Sequence, residues 1–309
     1  MVAVPDKKLR CPEKNSLHFR IGDIDISVRS DLDEVLEDYA ALYRQYGQVD
    51  GRQDRAIRME VKAGGRTLLG RRRYVICGDG KEMFANRRPE EVLPYLEWGI
   101  NWRVIATRTE HLQLHAAAMA RDGQGVVFSG ASGLGKSTLA AGLLARGWSY
   151  LSDEFALIDP GTLCIHPFPK ALCIKSGSFG IVRDLDLLLY QRRHYYKAFK
   201  GRVGFVNPAE VNGPLPPSPS PIRFVIFIKY LAGAEPRLYP ISRSQAAFRL
   251  AASSFNRSVF GHRAVSILNR VVRGAECFGL EAGPIGASCD LVESLLSNPA
   301  IGDQRSAMH

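Results

Sequence analysis

Gly130-Ala131-Ser132-Gly133-Leu134-Gly135-Lys136-Ser137 is the stretch on which the fold turns. It has the form G-x-x-x-x-G-K-S. Before it runs an apolar segment, Gly125 to Ser129, with Val126, Val127 and Phe128; after it Ser137 to Arg146 carries Leu139, Leu143 and Leu144 at helical spacing. Strand, glycine-rich loop and helix in that order make a phosphate cradle. The glycines let successive backbone N–H groups curl around phosphate oxygens, and the helix start adds roughly half a positive charge. The residues Gly130 to Ser137, with Thr138 behind them, therefore form a nucleoside triphosphate site in which Lys136 reaches the β and γ phosphates and Ser137 holds Mg²⁺.

Downstream, Gly147-Trp148 ends the helix and Ser149-Tyr150-Leu151-Ser152 leads as a short strand into Asp153-Glu154. A carboxylate at the tip of the strand neighbouring such a loop is where a metal ligand or a catalytic base is needed. In an extended stretch two adjacent carboxylates point to opposite faces, so the pair could serve both roles. The plainer account is an acidic turn into a strand over Phe155 to Ile158. Upstream, His115 falls on a strand predicted from Leu112 to Ala118, which pairs across the turn Arg121-Asp122-Gly123-Gln124 with the strand feeding the loop. A histidine on an apolar strand is more often a core residue; its nearness to the phosphates gives it a second reading.

From about residue 109 the order strand, turn, strand, Gly-rich loop, helix, strand is that of an α/β nucleotide-binding core. The chain before it reads as α+β. His18 to Val28 alternates as a strand pair around Gly22-Asp23, and Asp31 to Tyr43 carries Leu32, Val35, Leu36, Tyr39 and Leu42 at helical spacing behind Ser30 or Asp31 as N-cap. Ala56 to Val61 and Arg73 to Cys77 read as strands, and Pro89 opens a helix to about Arg108 that bridges two domains, 1–108 and 109–309. In the second, Asn212 to Pro221 is a proline-rich loop, Phe224 to Ile228 a buried strand, and Ser258 to Arg273 and Cys289 to Leu296 are helices. Arg183 to Arg202 interleaves Arg192, Arg193, Lys197, Lys200 and Arg202 with His194, Tyr195, Tyr196 and Phe199. It could clasp an acidic or extended substrate; a solvated amphipathic helix is the favoured account.

The composition sets outer limits. With 309 residues, 46% hydrophobic and 23% charged, the chain is long enough for two domains and ordinary in its balance, which excludes disorder and fibrous classes. No apolar run approaches the ~18 residues of a spanning helix, and Met1 to Leu17 is polar, so the cytoplasm is the expected compartment. The net charge of +10 suits anionic partners, yet it is scattered, as in Arg52, Arg55, Arg58 and Arg71 to Arg73, without a recognition motif, so nucleic acid is not an expected partner. The six cysteines, Cys11, Cys77, Cys164, Cys173, Cys277 and Cys289, show no metal-ligand spacing and read as reduced, mostly buried thiols.

From Leu114-His115-Ala116 through the loop to Leu151-Ser152-Asp153-Glu154 the chain resembles the kinase domain of bacterial HPr serine kinase/phosphorylase. More closely, it is similar to the HPr-kinase-related proteins, which include lasso-peptide-tailoring kinases. The resemblance implies a P-loop kinase core of the HPr kinase/PEP carboxykinase-like α/β type, preceded by a smaller α+β domain for recognition or dimerisation. It implies ATP and Mg²⁺ as cofactors, Asp153 as the base that accepts the seryl proton, Glu154 beside Ser137 at Mg²⁺, and His115 at the phosphates. Where the bifunctional enzymes carry Leu-Glu-Ile-Arg-Gly, this chain reads Leu172-Cys173-Ile174-Lys175-Ser176, which argues against phosphorylase activity and against HPr as substrate. Lys170 and Lys175 are further candidates for phosphate or transition-state contacts. The expected activity is transfer of the γ-phosphate to a hydroxyl, a serine of a peptide or small protein. A nucleotide-dependent switch or ATPase without an acceptor and a small-metabolite kinase stay open, as does self-association.

Overall fold

The computed structural model describes residues 15–47, 56–66, 72–86, 88–213 and 217–297. It is a mixed α/β molecule with a five-stranded, a nine-stranded and a three-stranded sheet. No helix among the described residues is long and apolar enough to cross a membrane, and no disulfide joins the described cysteines.

The five-stranded sheet begins with β1 (Ser16–Ile21) and β2 (Ile24–Ser30), antiparallel about the Gly22-Asp23 turn. Their alternate residues Leu17, Phe19, Ile21, Ile24, Ile26 and Val28 are buried, as period-two patterning requires. The helix α1 (Asp33–Leu42) follows, then β3 (Ile57–Arg66), β4 (Arg72–Gly78) and β5 (Lys81–Asn86). Neither expected N-cap serves α1: Leu32 occupies that position, and the Ser30 hydroxyl instead accepts the Leu32 N–H at 3.0 Å. A 3₁₀ turn at Pro89–Glu91 opens α2 (Val92–Thr107), which lies across this sheet.

After α2 come β6 (Leu112–Leu114), β7 (Ala116–Arg121) and β8 (Gln124–Ser129). The single strand expected over Leu112 to Ala118 is thus two, broken at His115, whose N–H donates to Ser253 O at 2.7 Å rather than to a strand partner. β6 pairs with β10, whereas β7 pairs with β8. The β7–β8 hairpin turns at Asp122 (φ 51°) and Gly123 (φ 73°), left-handed values that suit a two-residue hairpin. There follow α3 (Lys136–Ala145), β9 (Ser149–Ser152), β10 (Ala156–Ile158), β11 (Cys164–His166), β12 (Leu172–Lys175) and α4 (Phe179–Asp184). β9 pairs with β7, so the acidic pair ends a strand one removed from the loop-bearing β8 rather than beside it.

The helix favoured for Arg183 to Arg202 is instead a hairpin, β13 (Leu189–Lys197) and β14 (Gly201–Val206), which with β12 forms the three-stranded sheet. Tyr195, Val203 and Phe205 pack inward at strand periodicity, which decides against a helical face. The short α5 (Ala209–Asn212) precedes the proline-rich stretch, of which 214–216 lie outside the described residues. Ser220 and Pro221 already belong to β15 (Ser220–Tyr230), where they face Ile165 and Cys164 at the strand's first residues, positions that tolerate proline. The described residues end with β16 (Arg237–Pro240), α6 (Arg243–Ala252), α7 (Arg257–Phe260), α8 (His262–Gly274), β17 (Glu276–Ala282) and α9 (Ile285–Ser297). The helix expected over Ser258 to Arg273 is interrupted at Gly261, where φ is 54°.

β15 is the spine of the large sheet, parallel to β8 on one side and to β17 on the other. Its alternation divides the core. Phe224, Ile226 and Ile228 join the cluster of α3 and α9, while Val225 and Phe227 join that of α6 and α8. A third cluster unites the five-stranded sheet with Phe155, Phe168, Tyr195 and Phe205 from the later chain. The carboxyl ends of β8 and β15 and the start of α3 meet at one edge, the usual place for a ligand in an open α/β sheet.

Candidate active site

The loop after β8 is shaped by close approach. A Cβ on residue 130 would come 2.8 Å from Ile228 O, so only glycine lets the chain pass the end of β15 there. Gly135 sits at the N-cap of α3 with φ 95°, a left-handed turn that aims the first amides of the helix into the loop. The Tyr230 N–H donates to Leu134 O at 3.2 Å and fastens the loop to β15.

Lys136 is buried and folds back over the loop, donating to Gly130 O at 2.7 Å and Ala131 O at 3.1 Å. Burial pulls its pKa below the ordinary lysine value, against the pull of Asp153 and Glu154. A phosphate would offer this ammonium stronger acceptors than carbonyls do. Beside it the Ser137 hydroxyl donates to Asp153 Oδ2 at 2.7 Å. Thr138 Oγ1 and Ser178 Oγ lie 2.9 Å apart and join the start of α3 to the turn after β12.

The acidic pair does not alternate between faces. Glu154 takes φ 76°, which breaks the extended backbone, and both carboxylates line the same cavity. Burial, and then the charge of Glu154, push the Asp153 pKa up. Burial also opposes the charge of Glu154, but Lys200, with Lys197 and Lys170, outweighs it and holds that carboxyl at about 2. The Lys200 ammonium donates to Glu154 Oε1 at 2.6 Å.

The cavity has a volume of about 630 Å³, within the range of small-molecule sites. Its charged residues are Lys136, Lys175, Lys200, Asp153 and Glu154, and His115 lies on its wall. The His115 ring rests against Phe255, with centroids 5.5 Å apart; burial, then the charge of Lys136, lower its pKa. Lys175, at the end of β12, brings its Nζ to the loop: a Cβ on Gly133 would lie 3.4 Å from it. Tyr230, Ala282, Pro284 and Ile285 add an apolar part to the cavity lining.

Lys170 is not part of this cavity. It is buried in an ion pair with Glu97 of α2, a partner 73 positions away that local sequence could not reveal. The basic stretch after residue 183 likewise divides. Arg193 Nε lies 2.9 Å from Asp38 Oδ2, and Arg192 lies 3.7 Å from the same carboxylate, so these arginines secure β13 to α1, away from the cavity at the loop. Lys197 is buried over the Trp98 ring at 4.9 Å. Lys200 alone of these named basic residues lines the cavity. Its role, and that of the wall around Pro284, escaped the sequence because both come from elements distant from the loop. An alternation of Leu189 to Lys197 at period two was the available signal for the first.

Three comparisons bear on the chain. A family model described as SynChlorMet cassette protein ScmC matches residues 97–187. No curated protein matches the chain. Among solved structures it is similar to the Hpr(Ser) kinase/phosphatase from Coxiella burnetii, at 12% sequence identity and a TM-score of 0.31 over 62% of this chain and 91% of that one.

Proposed function

We propose that the protein is an ATP- and Mg²⁺-dependent kinase of the HPr-kinase-like type that transfers the γ-phosphate to a hydroxyl, a serine of a peptide or small protein. The observation that carries the reading is the Ser137–Asp153 hydrogen bond of 2.7 Å beside Lys136, inside a cavity large enough for a nucleotide. The loop glycines leave the space a phosphate needs, and the apolar wall at Tyr230 and Pro284 offers a slot for the base.

The donors suit Mg²⁺: a hydroxyl and carboxylates are the hard oxygens it prefers. Ser137 and Glu154 would hold it, and when bound it would supply positive charge that offsets the negative charge of the phosphates. Asp153, with its carboxylate in the cavity and its pKa raised by burial, is the group placed to take the acceptor proton. In the reaction the acceptor oxygen forms a bond to the γ phosphorus, the bond to the bridging oxygen breaks, ADP leaves, and the acceptor proton passes to Asp153. Lys136 and Lys175 stabilise the charge on the transferred group, and His115 stays neutral beside it as a hydrogen-bonding wall. Residues 1–108 serve acceptor recognition or dimerisation.

The test is incubation of the full chain with γ-labelled ATP, Mg²⁺ and a lysate of its own host, with Lys136→Ala alongside. Acid-stable label on a discrete peptide or protein, missing in the control, is the expected result. Label released only as free phosphate overturns the kinase reading, and label on a small metabolite overturns the peptide acceptor.

A further inference from the structure

We propose that His111, Asp159 and His166 form a second metal site, for a divalent transition-metal ion of the zinc type, away from the nucleotide cavity. One ligand atom from each of the three lies within 4.8 Å of the others. None of the three lines the nucleotide cavity.

Sheet register brings them together. Ile158 faces Leu112 across β6 and Ile165 across β11. His111 directly precedes β6, Asp159 directly follows β10, and His166 ends β11. The Asp159 N–H donates to Cys164 O at 3.0 Å, so the β10–β11 pairing continues one step beyond the named strands. Asp159 and His166 are then diagonal neighbours on one face, and His111 stands across from Asp159. The two imidazole rings meet with centroids 4.5 Å apart.

The cluster is built in rather than incidental. His111 is only 4% exposed, and its Nδ1 has no hydrogen-bond partner in the described structure; Glu110 Oε1 lies 3.5 Å off. A buried imidazole nitrogen without a partner costs free energy that a metal ion would recover. Asp159 is fixed from behind: its Oδ1 accepts from Gly161 N at 2.9 Å and from Thr162 N at 2.6 Å. That is the outer support that orients a ligating carboxylate. The turn carrying it is clamped by Arg270, which donates to Pro160 O and Gly161 O, each at 2.9 Å.

Two imidazoles and one carboxylate with a position left over match a three-protein-ligand zinc site, or the facial triad of Fe(II). Ligand atoms around a tetrahedral ion at about 2.0–2.1 Å stand roughly 3.3 Å apart, so closure takes modest rotamer changes. Around the cluster lie Glu110, Asp23 and Arg108, with Arg108 already paired to both carboxylates. The ion would join three strands where the β1–β2 turn packs against Pro167; Gly22 there leaves no room for a Cβ. Its office is to tie together the ends of β6, β10 and β11, neighbouring strands of the large sheet, of which β6 runs into His115.

The test uses the full chain, stripped by chelation and titrated with ZnCl₂, then with Co²⁺ as a spectroscopic probe. One equivalent of zinc per chain, a raised melting temperature, and Co²⁺ d–d absorption are expected. His166→Gln, at a half-exposed position, and Asp159→Asn should each weaken zinc binding by about tenfold or more. Zinc uptake unchanged in the double variant, or none in the wild type at micromolar metal, overturns the site. Should the variants unfold, X-ray absorption on the zinc-loaded wild type decides: nitrogen and oxygen ligands near 2.0–2.1 Å support it, and sulfur ligands overturn it.

Discussion

Two acid–lysine pairs, one sealed and one open, lie almost back to back in this molecule and do opposite things. Glu97 and Lys170 are sealed: their side chains are 3% and 7% exposed. Glu97 also accepts from the Tyr39 hydroxyl at 2.8 Å and the Tyr43 hydroxyl at 2.9 Å. Burial, and then the charge of Glu97, drive both tyrosine pKa values well up, so these hydroxyls remain donors across the working pH range. Glu154 and Lys200, at 30% and 20% exposed, open onto the cavity beside the glycine-rich loop. A gap of about 10 Å³, lined by Glu97, Lys170, Asp153 and Glu154, separates the pairs. A buried charge whose partners are complete supports the fold; one whose neighbours face a cavity retains capacity for a ligand.

The largest effect that could break this contrast lies in the open site. Lys136→Ala should remove detectable transfer. Asp153→Asn should lower kcat by about 10²–10⁴ while nucleotide affinity changes only a few-fold, read by single-turnover transfer and by nucleotide titration. A normal rate in the Asn variant would remove Asp153 from the base position.

Next in size is the sealed pair. Lys170→Met strands the Glu97 carboxylate in the interior and should cost about 3–5 kcal/mol, read from the urea midpoint. Combining it with Glu97→Leu should recover most of that loss, because the uncompensated charge is gone. Transfer per folded molecule should fall by less than about tenfold. A single variant as stable as wild type would show that the pair is not closed.

The same substitution in the open pair sharpens the comparison. Lys200→Met should change stability by under about 1 kcal/mol, since water screens a part-exposed pair. It should lower transfer by about 10²-fold, the usual effect of removing one preorganised donor. Equal losses of stability from Lys170→Met and Lys200→Met would erase the distinction between the pairs.

How these features read in sequence follows from their range. The loop Gly130–Ser137, the helix after it and the β7–β8 hairpin are local, fixed by glycine placement and apolar period over a dozen residues, and all three stand in the structure. Lys170, Lys175 and Lys200 look alike as text. What separates them is register: β12 pairs with β14, which carries Lys175 to the loop and Lys200 to the cavity, while Lys170 meets Glu97 of α2. Hydrophobic period also misled at Arg183 to Arg202, where the charged residues on the exposed side of a strand resemble the polar face of a helix. The His111, Asp159 and His166 cluster was invisible for the same reason, as its spacing in the chain is that of no linear motif.

The smallest effect tests His115 through pH, and its sign can be stated. Burial, with Lys136 nearby, lowers its folded pKa. As pH falls below about 6.5 the unfolded chain takes up a proton that folded His115 refuses, so stability drops. His115→Asn removes that contribution, and the loss of stability between pH 7 and pH 5 should be smaller in the variant, read as the urea midpoint against pH. The window isolates it from the open pair. Glu154, held at about 2, contributes stability that is complete above the ordinary glutamate range and is lost only as pH falls further through its folded value. His111, also lowered by burial, contributes equally in both proteins and cancels in the difference. Identical slopes would mean that neither burial nor the charge of Lys136 lowers the His115 pKa, and the cavity would then be wetter than its lining of buried groups implies.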